Sequence, residues 1–181
     1  MSAWKPFTHE GTSYVLSHLH PFVHTFKQAE QVGKPERSYP VQVIFSLHCF
    51  TRGADGIEED PKGPLGYADS REMRIFDFGR YAQSRQLPEI VRALPMSPCF
   101  HTNHGNFFTV RLVNAATGQG DTYEVYFTVS RSSSKVVPLN LFVQSAYVRD
   151  RLHANRPARK KIGFFVILHN ILNGRPIKVP K

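Results

Sequence analysis

The sequence predicts an α+β fold, an antiparallel meander of about four to six strands with a helix packed on one face. Alternating apolar and polar residues over Thr122–Arg131 and Val137–Ser145 indicate two strands joined by a polar turn. A helical stripe precedes them in Tyr81–Leu94. Because consecutive strands with short connections usually pair as neighbours, the C-terminal half is expected to form one sheet.

The composition suits a single domain, residues 1–181, with 41% apolar residues to build its core. No apolar run approaches the ~20 residues of a membrane span, and the first residues lack the apolar stretch of a signal peptide. Cys49 and Cys99 are too few for a disulfide framework. These features predict a cytoplasmic protein with reduced thiols. The formal net charge of +9 favours a polyanion partner, most often nucleic acid.

Two alternatives fit the first part of the chain. Gly11–Phe26 fits a strand that ends at a proline, and Pro21–Val32 fits a short helix with proline at its first position. Tyr39–Thr51 gives the strongest strand signal of the N-terminal half. Its alternation predicts that Ser46 and His48 project together from a half-polar face.

The middle of the chain combines a loop with the helix. Arg52–Ser70 is rich in Gly, Pro and acidic residues, which predicts a flexible loop over 52–70. A short strand is expected at Arg71–Phe78 and the helix at Tyr81–Leu94. The apolar stripe of the helix follows helical spacing: Leu87, Ile90, Val91 and Leu94.

The remaining sequence predicts strands. Phe107–Asn114 alternates like the two strands that follow it, and Ile162–Leu168 is expected as a buried strand before a turn at Asn173. The helix is then expected to cover one face of the sheet. The residues it would meet there are Tyr123, Phe127, Leu141 and Phe164.

The polar face of this sheet carries the residue types of a metal-free ribonuclease. Attack of the RNA 2′-hydroxyl on phosphate needs a base, an acid and cations, which histidine, arginine and lysine supply without a metal or cofactor. The candidate catalytic residues are His48, His101, His104, Arg131, Lys135 and Ser145. The histidines would serve as acid and base, Arg131 and Lys135 would steady the phosphate, and Ser145 would position it.

The order of a helix followed by a meander, over Tyr81–Leu168, resembles the barnase/EndoU/colicin/RelE-like ribonuclease superfamily, in its toxin and mobile-element forms. The resemblance implies basic residues on central strands and a hydroxyl on a late strand, and Ser130–Lys135 and Gln144–Tyr147 match these places. It also implies an RNA substrate and an antitoxin or inhibitor protein as partner. The chain before Tyr81 has no counterpart in that superfamily.

Two alternatives remain open. The first is a non-enzymatic nucleic-acid- or protein-binding module of a stress or mobile-element system, gripping phosphates through a basic segment. Its candidate nucleic-acid-binding residues are Arg149, Arg151, Arg156, Arg159, Lys160 and Lys161, with Tyr126, Phe142 and Tyr147 as rings on which bases stack. The second is a zinc-stabilised scaffold, because Cys99, His101 and His104 have ligand chemistry in a spacing unlike standard zinc motifs.

Overall fold

The computed structural model describes residues 3–30, 32–33, 35–54, 60–102, 107–113, 122–149 and 160–178, and it confirms the α+β class. The strands in chain order are β1 Phe7–His9, β2 Thr12–Tyr14, β3 Phe22–Gln28, β4 Arg37–Phe45, β5 Thr51–Arg52, β6 Gly66–Ala68, β7 Met73–Phe76, β8 Cys99–His101, β9 Phe107–Val113, β10 Thr122–Arg131, β11 Leu139–Arg149 and β12 Lys160–Ile162. The helices are α1 Phe78–Ser84, α2 Leu87–Arg92 and α3 Phe164–Leu172. Short 3₁₀ turns cover Ser17–Leu19, Leu47–Cys49 and Leu94–Met96.

A seven-stranded sheet in the order β12-β8-β9-β10-β11-β4-β3 forms the centre of the protein. The consecutive strands β8, β9, β10 and β11 pair antiparallel with one another, which confirms the predicted meander, and β12 pairs antiparallel with the outer edge of β8. β11 pairs with β4 in parallel and β4 pairs with β3 antiparallel, so the complete sheet is mixed. Two smaller sheets, β1-β2 and β5-β7-β6, lie beside it.

Apolar side chains of β4, β10 and β11 share one face of the large sheet, called the core face below. Each such side chain contributes about 1.5–3 kcal/mol when it is fully buried, so this layer supplies much of the stability. Its buried members are Val41, Val43, Phe45, Tyr123, Val125, Phe127, Val129, Leu139, Leu141 and Val143. The opposite face, called the second face, carries half-buried residues such as Gln42, Tyr126 and Asn140.

The structure corrects the strand predicted at Ile162–Leu168, because this segment enters α3 instead. A continuous apolar run fits a buried strand or a buried helix equally well by periodicity, which is why the prediction was wrong. A glycine marks the C-terminal end of α3. Gly174 adopts a φ of 65° and donates its N–H to the carbonyl of Ile171 at 3.1 Å, which ends the helix.

Helix α3 covers the core face. Phe164, Ile167 and Leu168 are buried, and the Phe164 ring lies 4.8 Å from that of Phe26 and 6.3 Å from that of Phe127, between centroids. The helix that packs across β10 is therefore α3 rather than the one predicted at Tyr81–Leu94.

The predicted helix Tyr81–Leu94 is divided into α1 and α2. Pro88 lacks the N–H needed to continue α1, and it lies in the first turn of α2, where no such bond is needed. The predicted apolar stripe is confirmed as buried: Leu87, Ile90, Val91 and Leu94. It packs beside the 3₁₀ turn Ser17–Leu19. No helix within the described ranges is long and apolar enough to span a membrane.

Three predicted boundaries change. Phe22–Gln28 is a strand, so the helix allowed over Pro21–Val32 does not form. The strand expected to reach Thr51 ends at Phe45. The segment 52–70, expected as a flexible loop, contains the strand β6 at Gly66–Ala68, while residues 55–59 lie outside the described ranges.

Replacement of Leu168 tests whether α3 closes the core. Leu168 is fully buried, so Leu168→Ala removes apolar contacts and leaves a cavity, and we expect a loss of about 2–5 kcal/mol in the free energy of unfolding. Val166 lies on the same helix but is 51% exposed, so Val166→Ala should change it by less than about 0.5 kcal/mol. Urea unfolding measures both, and equal losses would contradict this position for α3.

Candidate functional site

His48 lies in a turn that is tied to β11. Ser46 caps this 3₁₀ turn, because its Oγ accepts a hydrogen bond from the His48 N–H at 3.1 Å. The Ser46 N–H donates to the carbonyl of Val143 at 3.0 Å, and its hydroxyl donates to the carbonyl of Gln144 at 2.5 Å. His48 is thus held beside β11 by the hydrogen bonds of Ser46, rather than projecting from a strand as predicted.

The imidazole of His48 pairs with a carboxylate. Its Nε2 lies 2.7 Å from Oε1 of Glu72, and the two side chains are 30% and 37% exposed. Asp69 positions Glu72 by accepting its backbone N–H at 3.0 Å. The Nδ1 of His48 has no hydrogen-bond partner among the described residues, so it can accept a proton when Nε2 carries one.

The charge state of Glu72 follows from its neighbours. Partial burial would raise its pKa, but the hydrogen bond and charge of His48, together with Arg74, outweigh burial and lower the pKa below the ordinary value. The Nη1 of Arg74 lies 3.5 Å from Oε2 of Glu72. Glu72 is therefore a carboxylate near neutral pH, which fixes the orientation of the imidazole.

Arg80 connects this pair to β11. It lies in α1, whose first turn is capped by Asp77: Oδ1 of Asp77 accepts the Arg80 N–H at 2.8 Å. Nη1 of Arg80 donates to the carbonyls of Thr51, at 2.8 Å, and His48, at 3.4 Å. Its guanidinium carbon lies 5.4 Å from the centroid of the Tyr147 ring, within the range of a cation–π interaction. Burial lowers the pKa of Arg80 and Asp77 opposes this, so the arginine keeps its charge.

Two stacked tyrosines continue from Arg80 along the second face. The rings of Tyr147 and Tyr126 lie 5.7 Å apart with an interplanar angle of 15°. The hydroxyl of Tyr126 donates to Oε2 of Glu124 at 2.6 Å, and Glu124 is fully buried. Burial, followed by the hydrogen bond to Glu124, raises the pKa of Tyr126 well above its usual range, so this hydroxyl stays a donor.

A β-bulge brings Ser145 and Tyr147 to this face. Tyr126 pairs with Ser145 and Phe127 pairs with Val143, so Gln144 is an extra residue in β11. Strict alternation would have kept Ser145 and Tyr147 on the face of Val143, which is the core face. The bulge reverses the alternation, and the site therefore depends on one additional residue.

These residues form what we call the polar-face site: His48, Glu72, Arg74, Arg80, Tyr126 and Tyr147. A cavity of about 290 Å³ opens beside it, lined by Asp77, Gly79, Arg80, Gln83, Tyr147 and Val148. The arrangement combines a base, two guanidinium groups and aromatic rings, which are groups that bind phosphates and flat heterocycles.

The structure does not gather all of the predicted catalytic residues. Ser145 directly follows the bulge residue Gln144 in β11, and the turn that carries His48 is bonded to the carbonyl of Gln144 through Ser46. His101 is 3% exposed and pairs in register with Phe108, which pairs with Phe127, so it belongs to the core face. The expectation that His101 shares an open face with His48 is corrected, because the pairing of β8 with β9 and of β9 with β10 places His101 on the core face.

Arg131 and Lys135 lie at the far end of β10. Arg131 and Tyr126 are five residues apart on that strand, or roughly 17 Å. Arg131 instead reaches the C-terminal end of α3, where Nη1 would lie 3.8 Å from a Cβ atom built at Gly174. Lys135 is exposed in the turn that follows. These cations therefore do not join the polar-face site.

Several other predicted residues fall elsewhere. Four predicted residues lie outside the described residues: His104, Arg151, Arg156 and Arg159. The side chain of Arg149 also lies outside them. Lys160 and Lys161 are exposed in β12, at the edge of the sheet.

Cys49 and Cys99 are free and buried, and burial raises the pKa of both thiols to about 12. Within the described ranges, no three His, Cys, Asp or Glu residues form a metal-binding group.

Sequence reasoning missed Glu72, Arg74 and Arg80 as site residues. Glu72 meets His48 across 24 positions of sequence, and no local pattern indicates that contact. Arg80 has a weak signal, because an aspartate three residues before it suggests a helix start and places the arginine in the first turn.

The fold and the site define a basic α+β protein with a half-buried cluster of aromatic, guanidinium and imidazole groups on its central sheet. The chain matches the YjaZ family over residues 6–172, and it belongs to that family. It is 31% identical over 179 residues to Protein YjaZ of Escherichia coli (strain K12), covering 98% of this chain and 95% of that protein. No solved structure matches the chain. The resemblance to ribonucleases stays a prediction.

Removal of one hydroxyl tests the buried end of the site. Tyr126→Phe removes the hydroxyl that donates to the buried Glu124 side chain, so we expect a loss of about 1–3 kcal/mol in the free energy of unfolding. Tyr39→Phe makes the same chemical change at a long 3.5 Å contact with His169, and should cost less than about 1 kcal/mol. Urea unfolding near neutral pH compares them, and equal losses would refute a special role for the Tyr126 hydroxyl.

Proposed function

We propose that this chain binds single-stranded RNA at the polar-face site. The observation that carries the proposal is the guanidinium of Arg80 over the Tyr147 ring, stacked in turn on Tyr126. Arginine planes stack with every base, so Arg80, at the outer end of this stack, would bind single strands with little dependence on sequence. The formal net charge of +9 supports a polyanionic ligand.

The cavity beside Arg80 suits one base. Its volume of about 290 Å³ is small, and Gln83 contributes an amide to its lining. Oε1 of Gln83 accepts from Gln86 at 2.7 Å, which leaves its amide nitrogen to donate to a base edge. In this proposal the base enters the cavity and its sugar and phosphate remain outside.

Phosphate would meet the two arginines. Nε of Arg74 donates to Oγ1 of Thr51 at 3.0 Å, and Nη1 of Arg80 is bonded to backbone carbonyls. Nη2 of each arginine has no hydrogen-bond partner in the described part of the chain. Donors held in this way can bind a phosphate at little cost in side-chain entropy.

A second candidate function is metal-independent RNA cleavage, and the His48–Glu72 pair is the observation that favours it. In this candidate His48 Nδ1 takes the proton of a 2′-hydroxyl, whose oxygen attacks the adjacent phosphorus. The bond from phosphorus to the 5′-oxygen breaks, and that oxygen takes a proton from water. Arg74 and Arg80 would stabilise the charge that develops on phosphate. We also infer that a cleaving chain acts in the cytoplasm and is restrained there by an inhibitor protein that covers this site.

The effect of Arg80→Gln on RNA binding tests the first proposal. We expect about tenfold weaker binding of a short single-stranded RNA, measured by fluorescence anisotropy at fixed salt, because a ring–cation and a phosphate contact are both lost. Arg92→Gln is the matched control, since Arg92 lies on α2 over the ring of Phe22 at 4.6 Å, away from the site. Tyr147→Leu repeats the test without removing charge. Equal affinities of all four proteins would refute the proposal.

Incubation with RNA in EDTA tests cleavage. We expect products ending in 2′,3′-cyclic phosphate, and a loss of more than about a hundredfold in rate with His48→Ala, because the base is removed. His24→Ala, a half-buried histidine in β3, should cleave at the normal rate. Intact RNA after prolonged incubation with a protein that still binds it would eliminate this candidate and leave the binding function standing.

A further inference from the structure

A second cavity, of about 750 Å³, opens between the N-terminal segment, the β5-β7-β6 sheet and the second face of the large sheet. Its lining includes Ile44 and Phe142, which are paired neighbours on β4 and β11, and the rings of Trp4 and Tyr67, whose centroids lie 6.2 Å apart. All four side chains are half-buried. Cavities that bind small molecules have this size and this mixture of apolar walls with a few polar groups.

The rings of Trp4 and Tyr67, here called the aromatic wall, are held in position by packing against a buried ring and by a hydrogen bond. Trp4 packs edge-on to the buried Phe50 at 5.3 Å, and Tyr67 packs against the same ring at 5.0 Å. The Tyr67 hydroxyl donates to the carbonyl of Lys5 at 2.8 Å, which ties the N-terminal segment to β6. A wall fixed in this way loses little conformational freedom when a ligand binds.

Position 66, directly before Tyr67 of the aromatic wall, requires glycine. A Cβ atom at Gly66 would clash with the carbonyl oxygen of Pro61, so no other residue fits without moving the backbone. Gly66 also lines the cavity. The close approach of the two backbones therefore shapes one side of the cavity.

The charged groups that line the cavity leave a surplus of positive charge. Arg71 donates from Nε and Nη2 to Oδ2 of Asp69, at 3.3 and 3.1 Å, so these two charges largely offset each other. Lys5 is exposed and forms no ion pair with a described carboxylate. Nη1 of Arg71 and the ammonium group of Lys5 thus remain to bind an anion.

We propose that this cavity binds a small planar ring that carries an anionic group. The ring would lie between Trp4 and Tyr67 on one side and Ile44 and Phe142 on the other, and the anionic group would meet Lys5 and Arg71. Two sources share this chemistry, a nucleoside monophosphate and a small aromatic carboxylate. None of the lining residues belongs to the polar-face site, so this inference does not rest on the proposed RNA function.

Trp4 is the single tryptophan of the chain and lines the cavity, so its fluorescence reports binding there. The probes are uridine 5′-monophosphate and benzoate, each with an uncharged counterpart, uridine and benzamide. We expect saturable quenching by at least one charged probe and about tenfold weaker binding of its counterpart. Response to the nucleotide alone assigns the first source, and response to benzoate alone assigns the second. No saturable response to any probe, or equal binding of charged and uncharged forms, overturns the proposal.

Variants test the anion-binding and the ring-binding parts of the cavity separately, and they distinguish both from the polar-face site. The double variant Lys5→Gln/Arg71→Gln should bind the charged probe about tenfold more weakly and bind its uncharged counterpart with unchanged affinity. Phe142→Ala should weaken the binding of both probes. Lys27→Gln, at an exposed position of β3 outside the cavity, shows how much the loss of one surface charge alone changes binding. Arg80→Gln should not alter quenching, so failure of the RNA proposal would leave this result intact. Unchanged affinity in the folded double variant would overturn the assignment of the anion site.

Discussion

The parallel pairing of β4 with β11 is the interaction on which the rest of the structure depends. It joins the N-terminal and C-terminal halves of the chain, and the two strands bring buried side chains to one face at matching register: Val41 with Leu139, Val43 with Leu141, and Phe45 with Val143. The Ser46 N–H extends the ladder to the Val143 carbonyl. Because the His48 turn follows directly, its position relative to β11 is set by the same pairing.

The second face combines burial with charge, and this sets what the site can do. Glu124 is fully buried beneath a stack of two tyrosines, and Arg80 lies at the outer end of that stack. A buried carboxyl group is costly unless its oxygens are hydrogen-bonded. Tyr126 is therefore fixed by Glu124, and it fixes Tyr147 in turn. Such a rigid cluster suits the binding of a flat ligand better than a row of mobile surface side chains would.

Much of the fold follows from sequence periodicity, and most of the site does not. The alternation in β10 and the stripe of Leu87 and Ile90 indicated elements that the structure confirms. The bulge at Gln144 was not predictable, because a single extra residue leaves no local pattern and yet reverses the face of every residue after it. The contact of His48 with Glu72 arises from the packing of a separate small sheet, which periodicity does not describe.

The order of strands in the large sheet has a consequence for biosynthesis. β4 leaves the ribosome about a hundred residues before β11, and at 5–20 residues per second its inner edge waits roughly 5–20 s for a partner. During that time the alternating apolar strand exposes unpaired peptide groups, which are a template for association between nascent chains. Production of this protein is therefore expected to be sensitive to the pace of translation and to the supply of holding chaperones.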